Sequence, residues 1–154
     1  MTDPQQRLYE GMFLVNPTAI SASVSAAADE VRRILDRGHA EVEALYRWDD
    51  RRLAYPIEGQ KRGIYFVACF RATGAGVAHI ESDVNYSETI LRCLIIRADH
   101  IGDVELDLAR QQERQTRDAA NLESAAAAPD RQPAHAAAPA GAGEENPDEP
   151  RRDR

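Results

Sequence analysis

From Leu8 to Arg97 the large apolar residues recur at strand spacing, then at helical spacing, then twice more at strand spacing, then at helical and finally at strand spacing again. That succession admits few folds. Leu8 to Val15 is apolar on both faces, as an interior strand would be, and Asn16-Pro17 ends it. Ile20, Val24, Ala27, Val31, Ile34 and Leu35 then fall on one helical stripe, with Asp29-Glu30 and Arg32-Arg33 on the other side. Ser21 is the expected N-cap and Gly38 the expected left-handed stop. His39 to Trp48 alternates apolar and charged residues, the pattern of an edge strand with one wet face.

The passage from Arg51 to Arg71 reads as a hairpin. Arg51 and Arg52 precede a short apolar-aromatic segment, and Pro56, which has no N–H for a ladder, confines that segment to an edge. A basic Gly-Gln-Lys-Arg-Gly connection leads into a buried strand, Gly63 to Arg71, rich in β-branched and aromatic residues. Gly74-Ala75-Gly76 opens a short helix marked by Val77, Ile80 and Val84, and Thr89 to Arg97 is the last strand.

The order β-α-β-β-α-β predicts an α+β, ferredoxin-like domain: a four-stranded antiparallel sheet with two helices on one face. Strand parity places Phe13, Ile34, Phe66, Phe70 and Val84 in one core. Leu8, Met12, Leu14, Val67, Leu94 and Ile96 fall on the opposite face, where they are too apolar to stay wet without cover.

Composition bounds this domain. Met1 to Arg110 holds nearly every aromatic and branched apolar residue, whereas Leu122 is the only large apolar side chain of Gln111 to Arg154. A folded domain over residues 1–110 and a disordered, Ala/Pro-rich, charged tail over 111–154 are therefore expected. The formal charge is −7. Residues 1–110 contribute −4 of it, thirteen Lys and Arg against seventeen Asp and Glu. Such a chain has no long-range pull on nucleic acid, so any RNA contact must come from a few placed arginines. The polar start, Thr2 to Arg7, has no signal-peptide pattern and no run approaches a membrane span, so a cytoplasmic protein is expected.

Catalytic patterns are missing. His39, His79, His100 and His135 lack metal-motif spacing, and neither Asp99-His100 with Asp103 and Glu105 nor Asp49-Asp50 makes a persuasive site. The Asn16-Pro17-Thr18-Ala19 connection is not a glycine-rich anion loop, which counts against a small phosphatase on this fold. Cys69 and Cys93 belong to strands expected about 9–10 Å apart, too far for a disulfide, and free buried thiols are expected. No enzyme, cofactor, metal or small-molecule substrate is predicted. The alternative to an RNA-binding role is a ferredoxin-like sensing or protein-interaction module, recognisable by homo-oligomers formed through the sheet.

Taken together, Tyr9-Glu10, Val15-Asn16-Pro17, the string Arg51-Arg52-Leu53-Ala54-Tyr55-Pro56-Ile57, and Gly63 resemble the bacterial small-subunit ribosomal protein six family, over about Arg7 to Ala98. The chain departs from the family pattern at Asp49, at Glu58 and at Leu91-Arg92, where a basic pair is common. The resemblance implies a structural protein of the small ribosomal subunit. It would bind the central domain of small-subunit ribosomal RNA together with the basic small-subunit ribosomal protein eighteen. Arg92, Arg97 and Arg7 are then the expected RNA contacts, with Arg51 and Arg52 as further candidates partly drawn into pairing with Asp49-Asp50. Leu94, Ile96, Asp99, Asp103 and Glu105 are the expected partner contacts.

Overall fold

A computed structural model describes residues 5–20 and 23–126. In chain order it contains β1 (Arg7–Val15), α1 (Val24–Arg37), β2 (Glu41–Ile57), β3 (Gln60–Ala72), α2 (Gly74–Tyr86), β4 (Ile90–Arg97) and α3 (Asp103–Ala126). The first six elements follow the predicted order. All strand pairs are antiparallel in a four-stranded sheet of order β2-β3-β1-β4.

The ladder explains the core. Phe13 lies opposite Phe66 and Tyr9 opposite Phe70, so odd positions of β1 and even positions of β3 share a face. On that face Phe13, Phe66 and Phe70 meet Ile34 of α1 and Val84 of α2 in one buried cluster, as strand parity predicts. Ser23 caps α1, its hydroxyl accepting the Ala26 N–H at 3.4 Å, while the expected cap Ser21 lies outside the described residues. Gly38 is not left-handed: its φ is −78°, and His39 takes the positive φ of 55°. Its glycine is needed for space, because a Cβ there would stand 2.4 Å from Cγ1 of Ile80, where α1 ends against α2.

The hairpin differs from its sequence reading at the turn. Glu58 and Gly59 both have positive φ, at 48° and 77°, and Ile57 pairs with Gln60. This two-residue turn suits the twist of a hairpin. Gln60, Lys61 and Arg62, read from the sequence as connection, therefore belong to β3, and Arg52 lies directly opposite Arg62. Pro56 does sit in an edge strand.

α3 corrects the expected boundary after Arg110. Residues 111–126 continue a helix from Asp103, and the rest of the expected tail, 127–154, lies outside the described residues. The segment is rich in Ala, Leu, Gln, Glu and Arg, and Asp103 and Glu105 stand in its positive first turn. It docks through one leucine and small alanines. Leu106 and Ala109 cluster with Ala44 and Cys69, packed by Leu8 and Tyr46, and so cover part of the second sheet face. Further along, Ala120 joins the main core.

Candidate RNA and protein interface

β4 is an edge strand whose alternation divides its side chains between two surroundings. Cys93 and Ile95 pack against the main core, while Arg92, Leu94 and Ile96 lie on the opposite, exposed face. Leu94 is 64% and Ile96 45% exposed, so the cover supplied by α3 stops short of this strand.

Arg92 is the best-positioned of the expected RNA contacts. Its Nη1 donates to the Tyr55 hydroxyl at 2.9 Å, and its guanidinium carbon stands 5.6 Å from the centre of that ring. The end of β2 thus reaches over β1 to β4. Beneath it lies an open cavity of about 270 Å³, lined among others by Met12, Leu14, Leu53, Tyr65 and Leu94.

The other arginines are spread out. Arg97 lies opposite Tyr9 and Arg92 opposite Leu14. Those five residues along β1 separate the two arginines by about 17 Å, and their parity puts them on opposite faces. Arg7, exposed at the start of β1, is two residues from Tyr9 and so lies at the Arg97 end of the sheet. Arg97 is paired with Asp99 at 2.5 Å. Arg51 is held by Asp49 at 2.7 Å and stacks 5.1 Å from the Trp48 ring centre, the local pairing expected of it, whereas Asp50 pairs with Arg47 and Arg62 rather than with Arg52. The Arg51 hydrogen bond in turn holds the Asp49 carboxyl below its ordinary value. Arg52 is exposed across from Arg62, whose own partner is Asp50 at 3.1 Å. Like charges facing each other across a ladder repel. An anion seated between Arg52 and Arg62 would relieve that repulsion. Arg62 was not singled out in the sequence because its facing residue depends on the Glu58-Gly59 turn.

Of the expected partner contacts, Leu94 and Ile96 are exposed as required, and Asp99 is shared with Arg97. Asp103 and Glu105 stand in the first turn of α3, where Glu105 Oε2 also accepts the Gly102 N–H at 3.1 Å. Cys69 packs beneath α3 and Cys93 against the main core, so the two free thiols are on opposite sides of the sheet. Burial pushes both up to about 11, which leaves them protonated and unreactive at neutral pH. Among the described residues no group of three or more His, Cys, Asp or Glu could hold a metal ion, and no helix is long and apolar enough to cross a membrane.

A four-stranded antiparallel sheet with two helices on one face and an exposed edge strand that mixes arginine and apolar side chains defines a small ferredoxin-like α+β domain. The sequence pattern of the family described as ribosomal protein S6 matches residues 8–97, and the chain belongs to that family. It is 31% identical to small ribosomal subunit protein bS6 of Fusobacterium nucleatum over 93 residues, 60% of this chain and 99% of that protein. The Campylobacter lari protein of the same name is 35% identical over 91 residues, 59% of this chain and 73% of its own length. Among solved structures, the crystal structure of 30S ribosomal protein S6 from Thermotoga maritima matches with a TM-score of 0.53 and 25% identity, covering 75% of this chain and 98% of that one.

Proposed function

We propose that this chain is a structural, non-catalytic component of the bacterial small ribosomal subunit. It acts in the cytoplasm, where it binds the central domain of small-subunit ribosomal RNA jointly with small-subunit ribosomal protein eighteen. Family membership over residues 8–97 carries this reading. The physical setting supports it. An acidic chain of net charge −7 repels a polyanion at long range but attracts a basic protein. The exposed pair Leu94 and Ile96 offers apolar area for that protein, with Asp99, Asp103 and Glu105 close by in sequence. Arg92 sits on the same face, so protein and RNA meet along one strand; Arg97 and Arg7 extend the RNA contact at the far end, and Arg51 and Arg52 extend it along the hairpin.

The test is a titration of central-domain ribosomal RNA at near-physiological salt with each protein alone and with both. Cooperative binding by the pair, and weak binding by this chain alone, is the expected result. Tight, specific binding by this chain alone would refute the joint mode.

A further inference from the structure

Arg92, Leu14, Tyr65 and Asp49 are paired in turn, so they form one row across the sheet from β4 to β2. Three strand spacings make that row about 14 Å long. At each end an arginine stands over an aromatic ring. Arg92 lies 5.6 Å from the Tyr55 ring centre, and Arg51, beside Asp49, lies 5.1 Å from that of Trp48. Trp48 also meets the Tyr65 ring edge-on at 5.9 Å. Trp48 and Tyr55 are 50% and 57% exposed, although both are large aromatic side chains. The open cavity of about 270 Å³ lies along this row, where Leu14, Tyr65 and Arg92 line it together with Leu53 and Tyr55.

Size and chemistry select the occupant. Sites for drug-sized ligands run to about 300–1,000 Å³, so this smaller, open cavity suits a single ring system. Its lining is apolar and aromatic, and Arg92 is the one charged side chain in it. Rings beside a lone cation match one nucleotide, whose base has a π-face to stack and whose phosphate needs a positive partner. A side chain of a basic protein fits less well, because Arg92 repels neighbouring cations. The carboxylates that attract such a protein stand toward the other end of this face, Glu10 opposite Ile96 and Glu105 in the first turn of α3.

We propose that this cavity receives one unpaired base of the ribosomal RNA, stacked on Tyr55, while Arg92 holds the phosphate of the same nucleotide. The inference rests on the RNA-binding reading above and adds to it a base contact made by Tyr55, Leu53 and Tyr65. Phosphate contacts position a protein on RNA, whereas a base drawn out of its stack lets the protein select a single-stranded site. An acidic chain with few free arginines gains from such a contact, because stacking does not depend on net charge.

The experiment uses the full chain with small-subunit ribosomal protein eighteen and central-domain ribosomal RNA. Dimethyl sulfate and a carbodiimide, which together report on all four bases, are applied at saturating protein. The wild-type pair should shield one unpaired base that becomes reactive with Tyr55→Ala and stays shielded with Tyr55→Phe. Tyr55→Leu, which keeps an apolar side chain without the ring, should behave as Tyr55→Ala does. Loss of the ring should weaken RNA binding roughly tenfold or more, the effect of one base stack. Removing that base to leave an abasic nucleotide should weaken the wild type by the same factor and leave Tyr55→Ala unaffected. The proposal is overturned if no base gains reactivity in the Ala and Leu variants, or if the abasic RNA weakens wild type and variant alike. It is overturned equally if Tyr55→Ala weakens association with protein eighteen in the absence of RNA, since the cavity would then hold a side chain of the partner. Failure of the wild-type pair to bind the RNA at all would instead refute the underlying reading, before any variant is compared.

Discussion

Arg92 differs from Arg51 and Arg97 in being held by a neutral hydroxyl and ring rather than by a carboxylate. The hydrogen bond to Tyr55 and the contact with its ring fix the guanidinium before any ligand arrives, so less side-chain freedom is lost on binding. Two substitutions separate charge from position. Arg92→Ala should weaken binding of the ribosomal RNA by the assembled pair and flatten its dependence on log salt by about 0.7–0.9, one phosphate contact. Tyr55→Phe should keep the slope and weaken binding by about 0.5–1.5 kcal/mol, the usual net value of a lost hydrogen bond. An unchanged slope in Arg92→Ala would remove this residue from the RNA surface. None of this arrangement was legible in the sequence, because thirty-seven residues separate the two partners. The core was legible, since parity alone put Phe66 in it. Phe66 has no exposed surface, and Phe66→Ala should cost about 3–5 kcal/mol in urea denaturation. A loss below about 1 kcal/mol would mean that its cavity closes almost completely.

At the scale of elements, the six between Leu8 and Arg97 could be read because each carries large apolar residues at its own period. α3 could not. Its buried residues are Leu106, Ala109 and Ala120, and alanines do not stand out in a chain so rich in them. Its polar attachments join residues as far apart as Arg32 and Glu113. Two predictions follow from its docking. Limited proteolysis should spare α3 together with the sheet, and cleavage at Arg114 or Arg117 under conditions that leave the sheet intact would contradict the packed helix. The second concerns Glu43, which accepts hydrogen bonds from Arg71 of β3 and Arg110 of α3. Those bonds hold its carboxyl below the ordinary 4.5. A depressed folded value contributes stability that is fully present above 4.5 and lost as pH falls through the folded value. Glu43→Gln should therefore be less stable than the wild type at neutral pH, and the gap should close in acid. A gap that stays constant across that range, in urea melts at stepped pH, would show that the carboxylate charge is not what clasps α3.

For the molecule as a whole, charge sets which macromolecules can approach it. A net charge of −7 slows approach to a polyanion and speeds approach to a basic protein. The acidic residues near Leu94 and Ile96 are not equivalent in this respect. Asp99 is engaged by Arg97, so removing it would also release a cation and confuse the result. Asp103 is exposed in the first turn of α3, and Glu105 keeps an oxygen acceptor for the Gly102 N–H if changed to glutamine. The cleaner variant is therefore Asp103→Asn with Glu105→Gln, which removes two charges with little change in shape. If the acidic segment steers the basic partner, the association rate with small-subunit ribosomal protein eighteen should fall roughly tenfold at low salt. The dissociation rate should change little, because exposed charges at the rim of an interface act mainly on encounter. Added salt should erase the difference, since screening removes the field that both forms differ in. Stopped-flow association at stepped ionic strength makes the measurement. A deficit that persists at high salt, or that appears in dissociation instead, would place these carboxylates inside the contact rather than along the approach to it.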